Sequence, residues 1–379
     1  MAGPKVLDRQ FRFWIQRDAA LTAAQVIAAY ESGFAGAYQE PLEREQALDW
    51  VARNGGAIDS DTAFGAFAGS AVGKLSVPFV HAIDALGANP WPGAAQQRGD
   101  CTTHGDKNAN LVTWGCEVAL ATPDEETGKV EGVPELTEQG ILQGAFAPEA
   151  SWWVRTVEDG GGDGWSCWAA ARASCEKIGL WPRAPFPELK IDLTSYSNAN
   201  TRLFRSSIPE TVRTFGLKHR IRTMTEVKGW EAGGDALANG YGVNSCGGQA
   251  WSSVRDENGF SATKLGGWSH SEGYIACDWR PWVAKKYGVP ALFCQQNSWS
   301  KWNSGPRDVY DSAQFVPASK RERWIKLGLV NPSTGNLMIP EGSRWVACTT
   351  LNSRSLIAKA SVAGWPARKL PTYGMGIWG

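Results

Sequence analysis

At 379 residues, with 38 basic and 38 acidic side chains and no net charge, the chain is long enough for two or three domains. It has no electrostatic surplus with which to hold a nucleic-acid backbone. The first eighteen or so residues carry charges where a signal peptide needs an apolar core, and the most apolar run, 63–80, is broken by Lys74 and Pro78 before it could span a bilayer. The expectation is a cytoplasmic protein with no nucleic-acid or membrane partner.

In chain order, residues 21–38 and 41–56 carry apolar side chains at three- and four-residue spacing and predict helices. Thr22 is placed to cap the first. Pro41 suits the first turn of the second, and Gly55 ends it. Residues 54–95 are rich in Gly and Ala and end in a loop. Cys101 opens a helix running to Leu120, with Gly105 and Gly115 as its weak points. Residues 123–140 are polar and read as a surface insertion. A helix follows with Pro148 near its start, then the flexible turn "EDGGGDG", then a helix over "WSCWAAARASCEKIGL" ended by Gly179 and Pro182. From about residue 200 the pattern changes to short apolar runs between turn signals, as in "GYGVNSCGGQAW", "GFSATKLGG", "SEGYIACDW" and "ALFCQQNSWS". Those are strand signals. Helices first and strands later predict an α+β protein.

Eight cysteines are scattered without C-x-x-C pairing, and there are twenty tryptophans. The spacing argues against zinc, and nothing in the pattern calls for a cofactor. In a chain this long without a secretory signal, the expectation is buried reduced thiols and no structural disulfide. The tryptophans fit either a large core or a protein that belongs to an assembly or homo-oligomer.

A nucleophilic cysteine needs a base, a group that orients the base, and donors for an oxyanion. Of four histidines, His81 lies in an apolar run and reads as a core residue. His219 lies among bases and reads as surface. His104 is a helical neighbour of Cys101. His270, in "GGWSHSEGYIACDW", is delivered by glycines into the start of a strand, where its ring can be held facing a cleft. Asn297 follows an apolar strand in "FCQQNSWSKWNSG" and can direct its side-chain oxygen at an imidazole N–H, with Trp299 shielding the bond. Cysteine, histidine and asparagine in this order occur in cysteine peptidases.

Four segments in order resemble the papain-like cysteine peptidases, at the distance of a remote bacterial or phage member. "QQRGDCTTHG" resembles the glutamine-to-cysteine loop and helix start. Residues 147–188 resemble the helix, glycine-rich turn, helix and "P-[YF]-P" run of the first lobe. "GWSHSEGYIACDW" resembles the histidine strand, and "NSWSKWNSG" the Asn-Ser-Trp-Gly…Trp-Gly signature. The resemblance implies a two-lobe fold, a helical lobe and a β-barrel-like lobe, over residues 91–310. Residues 1–90 would then be an extra N-terminal helical region that packs on this domain or on a neighbouring subunit, and 311–379 an extension completing or decorating the β lobe. It also implies Cys101 as nucleophile, His270 as base and acid, Asn297 as the orienting residue, and a glutamine amide at the oxyanion. The family glutamine lies six residues before the cysteine, where this chain has Ala95; Gln96 or Gln97 could substitute, and Gln97 is chosen. Asp100 replaces a small residue, and its carboxylate either faces the sulfur or caps the helix. Ser271 stands where the family commonly has Ala, Ser300 replaces a glycine, and Asn303–Ser304 widen the later Trp-Gly.

The function implied is a thiol hydrolase cleaving protein or peptide amides. The alternative is a structural, inactive papain-like component of a viral particle or other assembly, which would place the chain in a virion.

Overall fold

A computed structural model describes residues 37–38, 41–53, 68–91, 93–120, 136–348 and 354–362. The helix expected over 21–36, its cap Thr22, and Gly55 lie outside these. At 37–38 the chain is not helical: Ala37–Tyr38 (β1) pairs in parallel with Trp165–Ser166 (β3).

The helices are α1 (Pro41–Arg53), α2 (Phe79–Leu86), α3 (Cys101–Leu120), α4 (Glu138–Leu142), α5 (Pro148–Asp159), α6 (Cys167–Arg172), α7 (Glu210–Leu217), α8 (Trp230–Ala238), α9 (Pro281–Tyr287) and α10 (Ala318–Lys326). Their ends follow local chemistry. Pro148 occupies the first turn of α5, where no backbone N–H is needed, and Gly160 closes it in the left-handed region at φ 72°. The Ser166 hydroxyl accepts from Ala169 N–H and starts α6. That helix widens into a π-turn at Ala173–Lys177 before Gly179.

The other strands are β2 (Leu75–Ser76), β4 (Pro185–Phe186), β5 (Ile191–Asp192), β6 (Ile221–Val227), β7 (Val243–Trp251), β8 (Thr263–Asp278), β9 (Leu292–Gln296), β10 (Ser343–Ala347) and β11 (Arg354–Val362). The main sheet runs β10-β9-β8-β7-β11-β6, with β2 added on β8. Neighbours are antiparallel throughout. The chain mixes helices and antiparallel sheet as an α+β protein does, but α7, α8, α9 and α10 fall after residue 200 among the strands, and no closed barrel forms among the described residues: β10 and β6 remain edges. Residues on both sides of position 90 share one core, since Phe79, Val80 and Ile83 pack with Leu111, Trp114 and Ile275. Beyond position 310, β10 and β11 are integral strands of the sheet.

The core is layered. One cluster fills the space between α3 and the sheet, a second lies around α8 with Trp230, Tyr274 and Phe293, and a third packs α5 and α6 through Trp152, Trp153, Trp165 and Trp181. Nine tryptophans are less than 2% exposed, so much of the tryptophan content fills the interior.

One expectation is overturned. Cys167 and Cys246 form a disulfide, with Cα atoms 6.3 Å apart and 79 residues between them in sequence. It ties the first residue of α6 to β7. Helix packing brings the two thiols together, and no local spacing announces it. The other six cysteines are free and buried.

Candidate active site

Helix α3 is buried at every position from Cys101 to Cys116, although it contains Thr102, Thr103, His104, Asp106, Lys107, Asn108 and Asn110. Buried polar groups need partners, and α3 finds several. Asn110 donates to Asp106 at 2.9 Å, the Ser174 hydroxyl also donates to Asp106, and Gly242 N–H donates to the Thr113 hydroxyl at 3.0 Å. The first turns press on β8. A β-carbon at Gly105 would stand 2.5 Å from Ser271 Oγ, 2.7 Å from Asn244 Oδ1 and 3.0 Å from Glu272 N. One at Gly273 would stand 2.6 Å from the Asn108 Cβ. Only glycine at both positions lets helix and strand approach this closely. Cys101 lies one turn before Gly105 on the same face of α3, and His270 lies one residue before Ser271.

His270 is fully buried. Its Nε2 is 2.8 Å from Asn297 Oδ1, an atom that can only accept, so the proton of this bond sits on Nε2. Asn297 Oδ1 also accepts from Ser298 N–H at 2.7 Å, which fixes the amide. Trp299 stacks on the imidazole with centroids 4.6 Å apart and planes 24° apart, and Trp302 meets Trp299 edge-on at 5.1 Å. Asn297 follows β9 directly, as expected. His270, in contrast, lies in the middle of β8 rather than at the start of a strand. Register shifts opposite Gly247, Gln249 and Ala250 absorb the glycines before it, so they form a bulge instead of a turn.

The loop before Cys101 is bonded to the same corner. Gln96 N–H donates to Ser298 O at 2.8 Å, the Ser298 hydroxyl donates to Gln96 Oε1, and Gln96 Nε2 donates to Arg98 O at 2.7 Å. The glycine-rich turn at 160–164 braces this loop. Gly99 N–H donates to Asp163 at 3.0 Å, Gly164 N–H donates to Gly99 O at 2.9 Å, and Arg98 donates to Gly161 O. Gln97 is half-buried, and its N–H donates to the Tyr196 hydroxyl oxygen at 3.3 Å. Its side-chain amide makes no hydrogen bond with the described residues. Gln96 is therefore a strut, whereas the Gln97 amide is engaged by none of the described residues.

Asp100 caps nothing through its side chain. Thr103 and His104 donate their N–H groups to its backbone oxygen at 3.1 and 3.3 Å. The carboxylate accepts instead from the Tyr196 hydroxyl at 2.7 Å, and His104 Nε2 lies 3.7 Å from it. Burial first, and then Asp100, push the Tyr196 phenol well above its ordinary range. Of the other free thiols, Cys116, Cys277, Cys294 and Cys348 are all pushed up by burial, Cys294 to about 12. They remain protonated at neutral pH. His81, expected in the core, is half-buried on α2, and desolvation followed by Lys320 pushes it down to about 4.

Two residues near His270 have no place in the sequence reading. Glu272 Oε1 lies 4.0 Å from His270 Nε2 and accepts from Arg344 at 2.6 Å, and all three side chains are fully buried. The period of two along a strand could have flagged Glu272. Nothing local could have flagged Arg344. No group of three or more metal-ligating side chains comes together, and no helix is long and apolar enough to cross a membrane, among the described residues.

No protein-family model matches the chain, and a search of curated proteins finds no relative. Among solved structures the chain is similar to xylellain, a cysteine protease from Xylella fastidiosa, with 11% identity, 72% of this chain and 85% of that one covered, and a TM-score of 0.39. It is also similar to the cysteine protease and lectin-like domains of Cwp84, a surface layer associated protein of Clostridium difficile. There the identity is 12%, 73% of this chain and 49% of that one are covered, and the TM-score is 0.39. A third is the proform of the ragweed pollen cysteine protease Amb a 11, with 10% identity, 94% and 87% coverage, and a TM-score of 0.40.

Proposed function

We propose that the chain is a papain-like thiol hydrolase that cleaves peptide amide bonds with Cys101, His270 and Asn297. One observation carries the reading: His270 is held by Asn297 at 2.8 Å beneath Trp299, while the loop leading to Cys101 is bonded to the adjacent Ser298. With Nε2 engaged by Asn297, proton exchange with a thiol falls to Nδ1. The Cys101 proton moves to Nδ1, and the start of a 20-residue helix favours the thiolate left behind. The thiolate adds to the substrate carbonyl. The oxyanion bonds to Cys101 N–H and to the Gln97 amide. His270 then gives its proton to the leaving amine, and water hydrolyses the thioester as His270 takes up a proton again. The substrate is a protein or peptide. The disulfide supports an oxidising compartment in place of the cytoplasm.

Labelling the folded, non-reduced protein with an electrophilic epoxide, followed by peptide mapping, tests this. Cys101 is expected to react far faster than the other five free thiols, and His270→Ala is expected to abolish that preference. Equal, slow labelling of Cys101 in both proteins would show that no thiolate–imidazolium pair forms, and the hydrolase reading would fall.

A further inference from the structure

The side chains around His270 close into a ring. His270 stacks on Trp299 at 4.6 Å, Trp299 meets Trp302 at 5.1 Å, and the Arg344 guanidinium lies over Trp302 at 4.5 Å. Arg344 donates to Glu272 at 2.6 Å, and Glu272 returns to His270 Nε2 at 4.0 Å. The Trp251 ring flanks Arg344 from another side at 5.5 Å. A carboxylate and a guanidinium with no solvent exposure are costly to desolvate, and a hydrophobic pair of the same volume would often serve stability as well. Their position beside the imidazole gives them a use.

We propose that Glu272 is a positioning residue for His270. Its carboxylate, clamped by Arg344 against Trp302, stabilises the imidazolium that forms when Cys101 gives up its proton. This inference rests on the hydrolase reading, because it assigns a role within the same proton transfer. The carboxylate lies near the nitrogen already bonded to Asn297, so it stabilises the ring's charge while Nδ1 remains the atom that exchanges the proton. The charged and titratable groups bearing on His270 come from each neighbouring element. Glu272 is on its own strand, Arg344 reaches from β10 through Glu272, and α3, whose Gly105 packs on Ser271, carries Cys101 and His104 in its first turn with Asp100 just before it. Opposite His270, β7 presents Gly247, and the turn after β9 brings the neutral Asn297 and Trp299. Glu272 is thus the carboxylate 4.0 Å from the ring, whereas Asp100 is held by Tyr196.

The test is the pH–rate profile for alkylation of Cys101 by iodoacetate, in which the thiolate displaces iodide. This anionic reagent reacts fastest while the imidazolium faces the thiolate, so the alkaline limb of a bell reports loss of the imidazolium proton. Glu272→Gln removes the attraction and leaves the Arg344 charge behind, so the limb is expected to fall by about one pH unit or more. The double variant E272Q/R344M removes both charges, and its limb is expected between those of Glu272→Gln and wild type. If Glu272→Gln does not fold, the charge-balanced double variant still decides, because its limb must lie below that of wild type. A role in packing alone would lower rates at every pH without moving the limb. A bell in wild type with unmoved limbs in the variants overturns the role of Glu272 and leaves the hydrolase reading standing. A wild-type profile that rises once, as for an ordinary thiol, and is unchanged by His270→Ala overturns both.

Discussion

Gly105→Ala is the substitution that most directly couples packing to the chemistry. The new β-carbon would stand 2.5 Å from Ser271 Oγ, 0.9 Å short of the 3.4 Å at which ordinary contact begins, and 3.0 Å from the backbone nitrogen of Glu272. Ser271 has little room to yield. Its hydroxyl donates to Asn244 Oδ1 at 2.9 Å and lies 3.3 Å from Cys246 Sγ of the disulfide. The first turns of α3 must therefore move off β8. Alanine gains about 1 kcal/mol of helix propensity, and overpacking costs roughly 1–3 kcal/mol, so the net destabilisation is about 1 kcal/mol. The functional effect is larger, since a displacement of about 1 Å between reacting groups can lower a rate on the order of 100-fold. The assay pairs a urea midpoint with the alkylation rate of Cys101 at neutral pH. Gly115→Ala is the control: its β-carbon would stand 2.4 Å from the Ala82 backbone, but it lies about 20 Å along the helix from Cys101. It is expected to destabilise at least as much while leaving the alkylation rate of folded protein unchanged. Wild-type alkylation in Gly105→Ala, or equal slowing in Gly115→Ala, would refute the coupling.

Thiol titration of the denatured, non-reduced protein is expected to find six thiols out of eight cysteines. Reducing the Cys167–Cys246 bond, which closes a loop with a sequence separation of 79, is expected to lower stability by about 4.5 kcal/mol on the chain-entropy account; eight thiols, or an unshifted urea midpoint on reduction, would contradict this. Ser300 sits at φ 55°, a backbone region that suits glycine, so Ser300→Gly is expected to stabilise by roughly 1 kcal/mol, and a lower urea midpoint would count against the strain. Lys107 is pushed down to about 7, first by burial and then by Arg183. Between that value and the ordinary 10.5 the unfolded chain binds a proton that the folded chain has released. Stability at this position is lowest below pH 7 and rises with pH, by up to about 1.4 kcal/mol per unit. Lys107→Met is expected to raise the urea midpoint most at pH 6–7 and less by pH 8.5, and a difference that stays flat across this window would show that the lysine is not desolvated.

What the sequence made legible was local. The bounds of α3, the proline start of α5 and the asparagine directly after β9 each depend on residues a few positions apart, and each is found where expected. What it did not make legible depends on contacts between distant segments. The disulfide joins a helix start to a strand 79 residues later, and Tyr196 reaches Asp100 across 96. Arg344 reaches Glu272 across 72. The bulge in β8 belongs with these, because glycines read alone signal a turn, and only the partner strand shows that the ladder continues through them.

Asp100 shows how such distant contacts change the chemistry of a residue that looks unfavourable in sequence. A carboxylate one position before a nucleophilic sulfur opposes thiolate formation if its charge is left to act on the sulfur. Here the Tyr196 hydroxyl donates to it at 2.7 Å, and the His104 ring lies 3.7 Å away. His104 and Tyr196 are themselves packed edge-on at 5.1 Å, and the Arg183 guanidinium, paired with Glu149 at 2.8 Å, lies over the Tyr196 ring at 5.9 Å. Asp100, His104 and Lys107 recur at helical spacing on one side of α3, facing the helical segments, while Gly105, Asn108 and Ala109 face β8. A helix buried between a helical layer and a sheet can therefore be polar on two sides without exposing either. On its charged side Asp100 accepts from the Tyr196 hydroxyl while burial and Arg183 press Lys107 toward its neutral form, and its sheet side is pared to glycine where it meets the histidine strand. Cys101 stands at the end where the two sides converge, and the histidine strand carries a carboxylate of its own in Glu272. The acid that sequence places beside Cys101 is thus engaged elsewhere, and an acid that sequence leaves unremarked lies 4.0 Å from the His270 ring.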